Sequence, residues 1–153
     1  MLIAARAWLT RILAPLRRPE APIAARERSL PPTCPYCHCL ASFYPDGGLV
    51  LPVRDIGPVW LCRDCAAWIG CKPNTNVPLG RLADGILRRA KIEARKAFDP
   101  IWQTGRLSRR EADKWLARQL RIKVSQCDFN LFNLGQCVRV IERCRGEHNG
   151  GDD

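Results

Sequence analysis

Histidine is scarce in this 153-residue chain: only His38 and His148 are present. No H-E-x-x-H pair occurs, which excludes a histidine-built hydrolytic zinc centre of the metalloprotease kind. There is no glycine-rich loop closed by lysine and no G-x-S-x-G, so P-loop nucleotide hydrolysis and nucleophile-elbow hydrolases are excluded too. Long apolar runs are also missing. The best stretch, residues 1–16, carries Leu2, Ile3, Trp8, Leu9, Ile12, Leu13 and Leu16 but is broken by Arg6 and Arg11. It falls short of the roughly 20 apolar residues of a membrane span and of the unbroken core of a signal peptide. Acidic side chains are few, 15 Asp+Glu against 25 Lys+Arg, for a net charge of +10. Such an excess points to an anionic partner and says nothing of the fold. The acids that do occur, Asp84, Glu93, Asp99, Glu111 and Asp113, suit helix starts and i, i+4 pairs. They offer no convergent acid/base set, so the chain is expected to be non-catalytic, with a metal-dependent nuclease as the alternative among enzymes.

What is present suits one domain with appendages, since about 100–150 residues bury one modest core. The charge is unevenly spread. Residues 1–33 hold six basic and two acidic side chains, residues 34–78 three of each, residues 79–123 thirteen against five, and residues 124–153 three against five. The cationic surface therefore belongs to the third segment. Residues 1–33 read as an amphipathic helix followed by a linker rich in proline and arginine, because Pro15, Pro19, Pro22, Pro31 and Pro32 forbid a continuous helix. Such a helix could dock on a partner or membrane surface, or cover the domain core. The lack of acids in its first eighteen residues would also suit an organellar targeting segment, although a cytoplasmic location is the expectation.

The informative motif is a pair of C-x-x-C knuckles, Cys34-Pro-Tyr-Cys37 and Cys62-Arg-Asp-Cys65, separated by 24 residues. Two residues between thiols let a tight turn aim both sulfurs at one ion, and a second turn completes the tetrahedral thiolate set of a structural zinc. A disulfide framework fits poorly with an odd count of nine cysteines. An iron–sulfur cluster could use the same four sulfurs. Leu40–Tyr44, the turn Pro45-Asp46-Gly47-Gly48 and Leu49–Val53 read as strand, turn, strand, and residues 34–78 as a zinc ribbon. His38 and Cys39 flank the first knuckle and Cys71 follows the second; each is a possible substitute ligand. Cys137 and Cys144 recur at helical spacing and are expected to line a core.

Residues 79–145 predict a basic three-helix region. Leu79, Leu82, Ile86, Leu87, Ala90, Ala94, Ala97 and Phe98 define one helix face, with an end expected at Asp99-Pro100. Ser108-Arg109-Arg110-Glu111 is a capping box, and Asn133-Leu134-Gly135-Gln136 resembles a second capped start, for a last helix to about Arg145. Residues 146–153 are expected to be a loose tail. Arg81, Arg88, Arg89 and Arg95 on one helix, and Arg110, Lys114 and Arg118 on the next, are the candidate phosphate contacts. Trp68 could stack on a base, whereas Trp60, Trp102 and Trp115 suit a core.

Ordered blocks go further than the knuckles. Trp60-Leu61-Cys62-x-x-Cys65-x-Ala67-Trp68-Ile69-Gly70-Cys71, Pro78-Leu79-Gly80-Arg81-Leu82-Ala83-Asp84, Ala97-Phe98-Asp99-Pro100-Ile101-Trp102 and Ser108-Arg109-Arg110-Glu111-Ala112-x-x-Trp115-Leu116-Ala117 resemble a family of small zinc-finger-containing proteins of unknown function from bacteria and phages. The resemblance covers about residues 34–145 and implies a zinc-finger module joined to a helical part. The family pattern commonly carries histidines where this chain has Lys72, Arg95 and Asp128, so any site built on those histidines is absent here. The resulting expectation is an α+β fold, a small zinc ribbon on an antiparallel hairpin followed by basic helices. Its structural zinc is held by Cys34, Cys37, Cys62 and Cys65. The expected partner is nucleic acid, DNA ahead of RNA, the alternative being an acidic protein partner.

Overall fold

The computed structural model describes residues 29–52, 56–105 and 107–149. The helix anticipated within residues 1–33 lies outside them, apart from its last few linker residues. Strand β1 (Ser42–Tyr44) pairs antiparallel with β2 (Val59–Cys62), and β2 pairs antiparallel with β3 (Ala67–Gly70), giving the order β1-β2-β3. The register sets Phe43 opposite Trp60 and Trp60 opposite Ile69.

The sheet corrects one expectation. The partner of β1 is β2, and Leu49–Pro52 is no strand. The Asp46 carboxylate accepts from the Gly48 amide and opens a short 3-10 turn over Gly47–Leu49, which leaves Leu49 81% exposed. Val59-Trp60-Leu61-Cys62, by contrast, is buried at all four positions. Burial of a whole segment outweighs a turn motif in selecting the strand pairing.

Three helices follow: α1 (Gly85–Gln103), α2 (Arg109–Leu120) and α3 (Leu134–Asn149). Helix α1 begins later than its apolar spacing suggests, because residues 78–84 run beside β3. Trp68 and Ala83 exchange both backbone hydrogen bonds at 3.1 Å, and the Leu79 amide donates to the Gly70 carbonyl at 2.9 Å. Leu82 is thereby buried in the ribbon core, and Asp84 caps α1 by accepting from the Leu87 amide at 2.8 Å. The helix also runs through Pro100 to Gln103. In the last turn a proline forfeits only one intrahelical donor, while Ile101 and Trp102 beyond it pack on the helical core. The Ser108–Glu111 capping box forms as expected. So does the Asn133–Gln136 pair, in which each backbone amide donates to the other's side-chain oxygen at 2.9 Å. Helix α3 passes Gly146 and reaches Asn149, longer than expected; Gly146 does not take the left-handed conformation with which glycine ends helices.

Two cores result. The helical one gathers Leu87, Phe98, Leu116, Leu120, Phe129, Phe132 and Val140 with Cys137 and Cys144, both fully buried. The ribbon core surrounds the knuckles with Trp60, Ile69 and Leu82 as its large members. Besides the Trp68–Ala83 backbone pair, two side-chain hydrogen bonds join the halves among the described residues. The Tyr36 hydroxyl accepts from the Asp84 amide at 3.2 Å, and Arg88 lies over the Trp68 ring, 3.3 Å from its centroid, donating to the Trp68 carbonyl.

Candidate metal centre

Each knuckle is the turn of a β-ladder. The first closes the Thr33–Leu40 bridge, with the Cys34 amide donating to the Cys39 carbonyl at 2.8 Å and the His38 amide to the Cys34 carbonyl at 3.0 Å. The second closes the β2–β3 hairpin beyond the Cys62–Ala67 pair. The residue after the second cysteine is left-handed in both, His38 at φ 63° and Ala66 at φ 51°. The two turns therefore share one backbone device, although neither carries the glycine that favours it.

These turns bring the sulfurs of Cys34, Cys37, Cys62 and Cys65 within 4.8 Å of one another. The Cys37 and Cys62 sulfurs are 3.5 Å apart. A zinc–sulfur bond of about 2.3 Å gives a tetrahedral edge of about 3.8 Å, so the set fits zinc without rearrangement of the fold. Cys34 and Cys62 are buried while Cys37 and Cys65 are partly exposed. The nine cysteines form no disulfide.

The thiol chemistry supports the same reading. Burial works to raise Cys34, but the amides of Cys37 and Tyr36 and the thiols of Cys62 and Cys37 outweigh it and hold Cys34 below its ordinary 9.0. The Cys65 amide works to lower Cys62, yet burial and the thiols of Cys37 and Cys34 prevail and raise it. Cys65 is pushed up to about 12, first by its hydrogen bond with Cys37 and then by burial. Without a cation, then, ionisation is eased at Cys34 and opposed at Cys62 and Cys65. A dication reverses this, since it requires all four as thiolates. Cys34, Cys37, Cys62 and Cys65 would hold a zinc ion as its four thiolate ligands, and such an ion would supply folding energy. Cys71 stands outside the cage, a core thiol pushed up to about 11 by burial. Partly exposed Cys37 and exposed Cys39 and Asp64 form a second close group. Cys39 was visible beside its knuckle, but only folding delivers Asp64 to it.

The candidate phosphate contacts divide. Arg110, Lys114 and Arg118, at i, i+4 and i+8 along α2, are exposed on the side opposite buried Ala112, Leu116 and Leu120, and Arg121 continues the stripe at the cap. Arg89 is exposed on α1 and Arg81 precedes its cap. Arg88 is half-buried against Trp68, and burial lowers its pKa to about 10. Arg95 lies over the Phe129 ring at 5.3 Å. Trp68 thus has one face taken by Arg88. Trp60 is buried and donates to the Asn76 carbonyl at 2.6 Å, while Trp102 and Trp115 pack on the helical core. Of Lys72, Arg95 and Asp128, the last two line one cavity of about 350 Å³, shared with Asp99, Trp102, Arg109 and Asp113. Lys72 lies apart, in the turn after β3. Arg109, which sequence reasoning passed over, bonds Asp113 at 3.2 Å and covers the rings of Phe98 and Trp102. Its i, i+4 spacing to Asp113 was the available signal.

A family model described as a zinc-finger-containing domain matches residues 30–147. Neither the curated proteins nor the solved structures contain a match to the chain. Among the described residues no helix is long and apolar enough to cross a membrane.

Proposed function

Because the chain belongs to the family of zinc-finger-containing domains, we propose that it is a zinc-stabilised, non-catalytic nucleic-acid-binding accessory protein that grips backbone phosphate through its basic helices. The observation that carries the reading is the outward stripe Arg110, Lys114 and Arg118. No carboxylate lies within ion-pair distance of any of the three among the described residues, whereas Lys96 and Arg109 are paired. Cations held on one rigid helix face lose little entropy on meeting a polyanion, and each neutralised phosphate releases counterions. Two of the three are arginines, whose planar fork suits phosphate. The closed thiolate cage supports a structural metal rather than a reactive one. Four cysteines gathered as metal ligands and five more outside any disulfide suit a reducing, cytoplasmic compartment. Duplex DNA is favoured over RNA, since a straight cationic stripe follows regularly spaced phosphates.

The test is a salt titration of binding to short single- and double-stranded DNA and RNA, comparing the natural chain with Arg110→Ala/Lys114→Ala/Arg118→Ala. Loss of three contacts flattens the salt slope on duplex DNA by about 2.7, which is about 40-fold in relative affinity between 50 and 200 mM salt. Equal affinity of the two proteins at every salt concentration refutes the reading. Salt-resistant capture of an acidic protein without any nucleic-acid binding replaces it with a protein-interaction role.

A further inference from the structure

The cage has a second group of donors on its exposed side. The sulfurs of Cys37 and Cys39 and a carboxylate oxygen of Asp64 all lie within 4.8 Å of one another. Cys39 follows Cys37 by two residues, and the knuckle turn between them, with His38 left-handed at φ 63°, keeps both sulfurs on this side. Asp64 sits between the two cysteines of the other knuckle, so the approach of the knuckles brings it to the same spot.

Neither new donor has a competing partner of consequence. Asp64 makes no hydrogen bond or ion pair among the described residues, because its basic neighbour Arg63 is turned away. The Arg63 Nε donates to the Tyr44 hydroxyl at 2.6 Å, and its guanidinium lies 5.6 Å from that ring centroid. Among the described residues the Cys39 thiol makes one hydrogen bond, a long one to the Cys37 carbonyl at 3.8 Å. A zinc with four thiolates retains two formal negative charges, and Asp64 adds a third, so this corner of the molecule attracts a further cation. The Cys37 sulfur keeps lone pairs after binding one metal and can bridge to another.

We propose that Cys37, Cys39 and Asp64 form a second, weaker metal site that takes a thiophilic divalent ion, zinc or cadmium, sharing the Cys37 sulfur with the cage. The Cys39 proton leaves to solvent on binding and water completes the coordination. Two sulfurs among three protein donors exclude magnesium and calcium, which require oxygen.

Native mass spectrometry of the full chain, titrated with zinc and then challenged with increasing chelator, tests the site. The natural chain should reach about two zinc ions and lose the second first. Cys39→Ala/Asp64→Asn, both at exposed positions, should stop at about one zinc while keeping the far-UV spectrum of the natural chain. Saturation of the natural chain at one zinc overturns the proposal, as does a second zinc persisting in the double variant. Loss of both ions from that variant also overturns it, by making Cys39 or Asp64 part of the cage itself.

Discussion

Removing the metal should unfold one half of the molecule and spare the other. The ribbon cluster contains three large side chains, Trp60, Ile69 and Leu82, and its remaining buried members are alanines and cysteines. The helical cluster contains seven large side chains, each contributing about 1.5–3 kcal/mol by burial. A structural zinc supplies about 10–16 kcal/mol, comparable to or larger than the whole stability of an ordinary domain, about 5–15 kcal/mol. Nothing else in so small a sheet replaces it. Chelation, or Cys34→Ser, should therefore abolish β1–β3 while α1, α2 and α3, of 19, 12 and 16 residues, persist. Only the first turn of α1 should fray, since its Asp84 amide loses the Tyr36 hydroxyl. The assay is far-UV circular dichroism together with the indole N–H resonances. Trp60 and Trp68 should collapse to solvent-like shifts, while Trp102 and Trp115 stay dispersed. Collapse of the helical signal in step with zinc loss would refute the reasoning, because it would make the two clusters one cooperative unit.

Three smaller perturbations follow from single contacts. Ser108→Ala removes the hydroxyl that accepts from the Glu111 amide and should cost about 1 kcal/mol in urea denaturation. In the natural chain the Ser108 side chain and amide hold Glu111 below its ordinary 4.5. The part of the deficit that comes from the Glu111 carboxylate is present above pH 4.5 and lost as pH falls through the lowered folded value; a variant whose deficit does not shrink at all as pH is lowered below 4.5 contradicts the account. Gly80→Ala should destabilise by about 1–3 kcal/mol, because the added methyl would stand 2.7 Å from the Asn130 carbonyl oxygen, which is fixed by the Arg81 amide and the Lys91 ammonium. Thermal melting within error of the natural chain would show that this carbonyl can give way. Ala66→Gly relieves a left-handed alanine at φ 51° and should raise stability by up to about 1 kcal/mol with zinc stoichiometry unchanged; a clear loss in the same melt denies the strain.

The metal ligands could be read from the chain because a C-x-x-C turn is local. Spacing alone aims its two sulfurs together, and two such turns have one economical use. Both capped helix starts were equally local, a side-chain oxygen reaching an amide three residues away. Where α1 starts was not, since Leu79 and Leu82 carry helical spacing yet their segment takes its backbone partners from Gly70, Trp68 and Asn130, distant in sequence. The partner of β1 was hidden for the same reason: a Pro-Asp-Gly-Gly turn signals a reversal, but only the burial of Val59–Cys62 decides which strand receives it. Equal guanidinium charges also met different fates. Arg118 has no carboxylate within ion-pair distance among the described residues and faces water, whereas Arg88 is laid over Trp68 by the docking of ribbon on helix. Local chemistry, acting over a few residues, is determined by sequence. The choice among distant partners depends on how much surface each buries, and that quantity exists only once the chain has folded.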